Sequence, residues 1–247
     1  MKNPTAAMIV IGDEILSGRT RDSNMHYLAN KLVKTGISLR EVRVISDDQK
    51  EIISSVNELR KKFNYVFTSG GIGPTHDDIT ADSIARAFKV KIGVRSDAKK
   101  LLEEYYKKNG IKLNNSRIRM ARIPENAELI ENPISAAPGF KIENVYVMAG
   151  VPAIFQSMVN FTISNMKHGS PIKSKSIIVE TPEGEIADKL ASMALENPEI
   201  SFGSYPFIRD GVLGTDIVLR GHDSNIIEIL AQKVEESFNV KTENKDE

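Results

Sequence analysis

The segment Thr68-Ser69-Gly70-Gly71-Ile72-Gly73-Pro74-Thr75-His76-Asp77-Asp78 concentrates residue types that can hold an anion. Glycine adopts left-handed backbone without a Cβ clash, so the N–H groups of Gly70, Gly71 and Gly73 can converge on a phosphate. The hydroxyls of Ser69 and Thr75 stand beside them, with Pro74 in the same turn. Asp77 and Asp78 follow directly, and two carboxylates beside a polyphosphate repel it unless a cation such as Mg²⁺ bridges them. The same residues also suit a tight turn in which Asp77 or Asp78 only caps the next helix. No Gly-Lys-Ser/Thr follows and the spacing is not G-x-G-x-x-G, so neither P-loop kinase nor dehydrogenase chemistry is supported.

Further acidic positions could join this turn. Gly12-Asp13-Glu14 follows the apolar run Ala6 to Ile11, and Asp47-Asp48 follows the run Leu39 to Ile45. In an open parallel sheet, ligands bind at the carboxyl ends of strands, where these loops and the glycine turn would face one crevice. Grouped carboxylates can hold a metal or orient water for attack at phosphorus, and they equally suit surface loops and helix caps. Asn132 to Phe140, including Pro138 and Gly139, can close over a ligand or merely connect elements. Gly150-Val151-Pro152 reads as another strand-to-helix turn, with Pro152 suited to the first helical turn. His26, His76, His168 and His222 show no H-x-x-x-H pair, and without cysteine a zinc site has no support.

The elements that must position these residues alternate. Ala6 to Ile11 is continuously apolar, as in a strand buried on both faces. A helix capped near Asp22 and Ser23 follows, and Gly36 ends it. The pattern repeats with a strand at Leu39 to Ile45, a helix bearing Ile52, Ile53, Val56 and Leu59, and a strand at Tyr65 to Thr68. Helices are expected over Thr80 to Phe88 and Ser96 to Asn109. A turn-rich stretch from Asn126 to Phe140, a strand at Val145 to Met148 and a helix after Pro152 come next. The expected fold is α/β, a three-layer, mostly parallel sheet with a second, smaller α+β domain. The composition shift at Lys167 to Ser174 sets expected domains of 1–170 and 171–240, with a disordered tail at 241–247.

Lys plus Arg and Asp plus Glu balance at 33 each in the 247 residues, so no global field recruits nucleic acid or an anionic membrane. No apolar run approaches the ~20 residues that span a bilayer. The first residues lack the features of a secretory signal, so a cytoplasmic protein is expected.

Taken together, Gly12 to Leu16 with Asp22 and Asn24, Ser69 to Thr80, Arg119-Met120-Ala121 with Pro124, Pro138 to Phe140 and Gly150 to Pro152 resemble the amino-terminal part of the CinA-type (competence/damage-inducible protein A) family. That family belongs to the molybdopterin-binding (molybdenum cofactor biosynthesis) domain superfamily. Ser204-Tyr205-Pro206 and Leu219-Arg220-Gly221 are similar to the small KH-like domain that follows in it. The segment lacks a GxxG loop, so RNA binding is not expected. The carboxy-terminal amidase domain is not expected in this chain. Departures from the family pattern are Ser69 for Thr, Ser135 for Gly and Ala149 for Pro.

The resemblance implies metal-dependent pyrophosphatases acting on ADP-ribose or FAD, or molybdopterin adenylyltransferases, whose functional aspartates match Asp47 and Asp78. It also implies self-association. The leading expectation is therefore hydrolysis of a nucleotide diphosphate linkage, with ADP-ribose as first substrate. Asp13, Asp47 and Asp78 would hold Mg²⁺ or Co²⁺ or position water, and Glu14 is a general-base candidate. Ligand contacts are expected from Asn24, Ser69, Gly70, Gly71, Gly73, Pro74, Thr75, Asp77, Pro138, Gly139, Gly150 and Pro152. The alternatives are molybdopterin binding or adenylylation, and a nucleotide- or pterin-binding module without turnover.

Overall fold

The structure, a computed structural model, describes residues 3–238, which fall into two compact units divided between Gly169 and Ser170. The expected tail at 241–247 lies outside the described residues. Unit 1 opens with β1 (Thr5–Ile11), α1 (Asp13–Leu16), α2 (Asn24–Lys34), β2 (Ser38–Ile45), α3 (Gln49–Lys62), β3 (Tyr65–Ser69) and α4 (Thr80–Phe88). It continues through β4 (Ile92–Val94), α5 (Ser96–Lys108), α6 (Asn115–Ile118), a 3-10 turn (Arg119–Ala121) and β5 (Arg122–Pro124). Its last elements are β6 (Glu128–Ile130), β7 (Gly139–Ile142), β8 (Val145–Met148) and α7 (Pro152–Ile163).

Six strands form one sheet in the order β2-β1-β3-β8-β7-β6. The pairs β1/β2, β1/β3 and β3/β8 are parallel, while β7 pairs antiparallel with both β8 and β6. The unbroken apolar run of β1 has its explanation here. Ala7, Ile9 and Ile11 pack with Ile52, Val56 and Leu59 of α3 on one face. Ala6, Met8 and Val10 pack with Leu28 and Leu32 of α2 and Phe155 and Met158 of α7 on the other. A strand with a helical layer on each side cannot alternate with polar residues, because neither face meets water. The result is the expected α/β fold of three layers, with an antiparallel edge. The short strands β6 and β7 emerge from the stretch read as turns, being too brief for a period-2 pattern to show.

The parallel register brings Ile11, Ile45, Ser69 and Met148 to the same end of the sheet. Two hydrogen bonds extend the ladder past the strands, from Gly12 N–H to Ile45 O at 3.1 Å and from Gly70 N–H to Met148 O at 3.1 Å. The loops after β1, β2, β3 and β8 thus leave the sheet side by side.

Unit 2 contains β9 (Lys173–Val179), α8 (Glu183–Glu196), β10 (Ser201–Arg209), β11 (Val212–Gly221) and α9 (Ser224–Ser237). Its antiparallel sheet runs β10-β11-β9. Ile177, Ile217 and Leu219 of the sheet pack with Ile186 and Leu190 of α8 and with Ile227, Leu230 and Val234 of α9. The strand β10 runs unbroken from Ser201 to Arg209. Pro206 is tolerated within it because β10 lies at the sheet edge, and Asp210 and Gly211, both with positive φ, turn the chain into β11. Among the described residues no helix is long and apolar enough to cross a membrane.

Candidate functional site

A cleft of about 500 Å³ opens where the four loops meet, within the range of small-molecule sites. Residues 70–74 with Asp77 and Asp78 line one part of it, Gly12, Glu14 and Asp47 another, and Gly150, Val151 and Pro152 a third. Asn132, Ser135 and Ala137 contribute from the loop before β7. The expected convergence of three acidic loops on one crevice is present.

The glycine turn is built differently from the expectation. Gly70 (φ 112°) packs so tightly over β1 that an added Cβ would lie 2.1 Å from Ile11 O. Its amide is spent on Met148. Asp78 folds back under the turn: Gly73 N–H donates to its Oδ1 at 2.7 Å, and Thr75 N–H and Oγ1 donate to its Oδ2 at 2.8 and 2.6 Å. The amides of Gly70, Gly73 and Thr75 therefore hold the turn in shape and do not face a ligand. The N–H groups of Gly71 and Ile72 make no hydrogen bond among the described residues, and these are the donors left for an anion. The unbonded amide is thus that of Ile72, which sequence reasoning passed over, and not that of Gly73.

No side chain caps α7, whose first turn also borders the cleft through Pro152 and Ile154. Its unpaired amides and dipole favour negative charge.

The acidic residues divide their work. Asp48 caps α3 by accepting from Lys50 N–H and Glu51 N–H at 2.8 and 3.0 Å. Asp47 is thereby left to the cleft. Partial burial pushes its carboxyl above the usual aspartate range; a hydrogen bond from Asp13 N–H opposes this at 3.1 Å, and the charges of Asp13, Glu14 and Asp77 add to it. The segment after β1 is the one-turn helix α1 and not a plain loop, so Glu14 faces the cleft while Asp13 contributes only its amide to Asp47.

Asp13, Asp47 and Asp78 do not assemble as a metal centre. Asp13 does not line the cleft, Asp78 braces its own turn through both oxygens, and no group of three or more His, Asp or Glu suited to a metal ion occurs among the described residues.

The remaining expected ligand contacts sort by burial. Asn24 is buried, its Nδ2 donating to Ser69 Oγ at 2.8 Å and Gly150 O at 2.7 Å. It joins the ends of β3 and β8 and, with Ser69, borders a smaller hollow of about 60 Å³ that shares Glu14, Thr20 and Gly150 with the cleft. Pro74, Asp77, Gly150 and Pro152 line the cleft itself; Thr75 does not. Gly139 is a packing residue, since a Cβ there would lie 2.5 Å from Val147 O. Pro138 borders a separate niche behind the glycine turn. Asn132, absent from the expected set, is buried and shapes its loop, accepting from Ile134 and Ser135 N–H and donating to Ser135 Oγ and Ala137 O. Its position just before Pro133 is the sequence signal for such an Asx turn.

The sheet order and the glycine-turn cleft together define an α/β domain with a cleft of small-molecule size. Residues 7–168 match the family described as a probable molybdopterin binding domain, and the chain belongs to that family. Residues 171–247 match the middle domain of FAD synthase, a likeness that no residue of unit 2 had signalled, since it carries no chemical motif.

A protein of Archaeoglobus fulgidus is 32% identical over 235 residues, covering 95% of this chain and 98% of the relative. A probable FAD synthase of Caenorhabditis elegans is 28% identical and covers 94% of this chain, which spans about half (49%) of that protein's length. Among solved structures, CinA of Thermoplasma acidophilum, described as of unknown function, superimposes with a TM-score of 0.60 at 30% identity, covering 65% of this chain and 98% of that one.

Proposed function

We propose that the cleft of unit 1 binds a nucleotide through its diphosphate and hydrolyses the diphosphate linkage, with ADP-ribose as the first substrate to test. The observation that carries this reading is the pair of unclaimed amides at Gly71 and Ile72, which line one cleft with the uncapped start of α7 and the carboxylate of Asp47. Backbone donors so arranged suit phosphate oxygens and stabilise charge developing on them. A water held by Asp47 would attack phosphorus, forming a P–O bond as the bridging P–O bond breaks. Asp47 would take the water's proton, and the products would be AMP and ribose 5-phosphate. A carboxyl held above the aspartate range is a better proton acceptor than an ordinary one.

No group of three or more His, Asp or Glu suited to a metal ion occurs among the described residues, so the water step is drawn through Asp47. Mg²⁺ or Co²⁺ fits this cleft as a companion of the ligand, held by one or two carboxylates and by phosphate oxygens.

The match to the FAD synthase middle domain favours FAD as a second diphosphate substrate, cleaved to FMN and AMP. The family description favours molybdopterin as a ligand, bound or adenylylated in the same cleft. Incubation of the full chain with ADP-ribose, with FAD, and with ATP plus molybdopterin, each with Mg²⁺ or Co²⁺, separates these readings by product. AMP from ADP-ribose or FAD supports hydrolysis and adenylylated molybdopterin supports transfer. Protection against heating without any product supports a binder and refutes turnover.

A further inference from the structure

The charged residues bordering the main cleft are Glu14, Asp47, Asp77 and Asp78, with no Lys or Arg among the described lining. Amides and a helix terminus alone would have to hold a diphosphate against that field. A cation stands directly behind the turn. Arg119, in the 3-10 turn before β5, lines a niche of about 20 Å³ that shares Ile72, Gly73, Asp78 and Met120 with the cleft. The niche holds little more than one water, and it abuts the cleft through those four shared residues.

Arg119 Nε is buried without a partner, and no nitrogen of its guanidinium makes a hydrogen bond or ion pair among the described residues. Its neighbour in the niche, Arg122, is spent on Asp82 at 2.6 Å. Asp78 also lines the niche, but its oxygens accept from Gly73 and Thr75 and no hydrogen bond or ion pair joins it to Arg119. A partly buried guanidinium left unpaired is costly, and one beside an anion-binding turn has an evident partner in a phosphate.

We infer that Arg119 is the phosphate-binding cation of this site, a role that rests on the reading of the cleft as a diphosphate site. Its planar fork can take two phosphate oxygens at once and offsets the surrounding carboxylates. Discrimination between a diphosphate ligand and a bare nucleoside then depends on this side chain.

The test is calorimetric titration of the full chain, as wild type, Arg119→Gln and Arg119→Lys, with ADP-ribose, AMP and adenosine, alongside melts without ligand. The expected result is that Arg119→Gln weakens ADP-ribose binding at least about tenfold and AMP binding less, with adenosine binding unchanged. Arg119→Lys, which keeps the charge without the fork, should fall between. Because Arg119 has no partner to lose, the melts should coincide or shift upward. If Arg119→Gln prefers ADP-ribose over adenosine as strongly as wild type does, this inference fails while the cleft reading stands. If wild type itself shows no preference for phosphorylated ligands, the cleft reading fails and takes the inference with it.

Discussion

Replacing Gly71 with alanine tests whether the shape of the glycine turn is set by its contact with α4. Gly71 has φ 69°, a conformation that costs alanine about 1 kcal/mol. The added Cβ would lie 2.1 Å from Thr80 Oγ1 and 3.0 Å from Thr80 Cβ. Thr80 cannot swing aside: it is fully buried at the start of α4, and its N–H is bonded to Gly71 O at 2.9 Å. Overpacking of this kind costs about 1–3 kcal/mol, so Gly71→Ala should destabilise unit 1 by about 2–4 kcal/mol. For a unit of this size the melting temperature should fall on the order of 10 °C. Thr80→Ala alone should be nearly neutral. It removes a buried hydroxyl without a hydrogen-bond partner, worth about 1–3 kcal/mol, against the loss of a few packed atoms. The double variant should recover about 1–2 kcal/mol relative to the sum of the singles. Urea unfolding of all four proteins, followed by circular dichroism, reads this coupling. Additive effects, or a Gly71→Ala melt within about 2 °C of wild type, would refute the claim that this contact fixes the turn.

Asp78→Ala should cost about 2–3 kcal/mol and abolish ADP-ribose binding, because it strips three hydrogen bonds from the glycine turn; Asp78→Asn, keeping one acceptor oxygen, should do less of both. Denaturant titration with calorimetry checks this, and unchanged binding in Asp78→Ala would count against the bracing role. Asp47→Asn should eliminate AMP release yet stabilise the fold at neutral pH by up to ~1 kcal/mol. The sign follows from a raised folded-state value: the benefit of neutral Asp47 is present below the unfolded aspartate range and is lost as pH rises through the folded value. The gap between variant and wild type should therefore open with rising pH and close in acid, as melts across pH would show. For the same reason the acid limb of the activity profile should lie above that of an ordinary aspartate. Asn24→Asp should destabilise more than Asn24→Ala, since it sets a carboxylate oxygen against Gly150 O where a donor stood, and paired thermal melts would expose the reverse order.

Much of the fold was legible because its signals are local. The apolar run of β1 and the helical spacing of Ile52, Val56 and Leu59 each state which faces are buried, and alternation of such segments leaves few topologies. The short strands β6 and β7 were not legible, since their pairing is fixed by neighbours distant in sequence.

The sequence by itself determined which loops meet at the cleft, because parallel strands whose apolar runs end in glycine and acidic residues must deliver those residues to one end of the sheet. Only the tertiary structure decided what each does there. Among the described residues Asp78 is engaged by the turn it follows and Asp48 by a helix cap, and Asp13 lies outside the cleft lining, while Asp47 Oδ1, the Gly71 and Ile72 amides and the Arg119 guanidinium make no hydrogen bond. Residue type states how many hydrogen bonds a group can make, but whether those bonds are already used depends on partners brought together by folding.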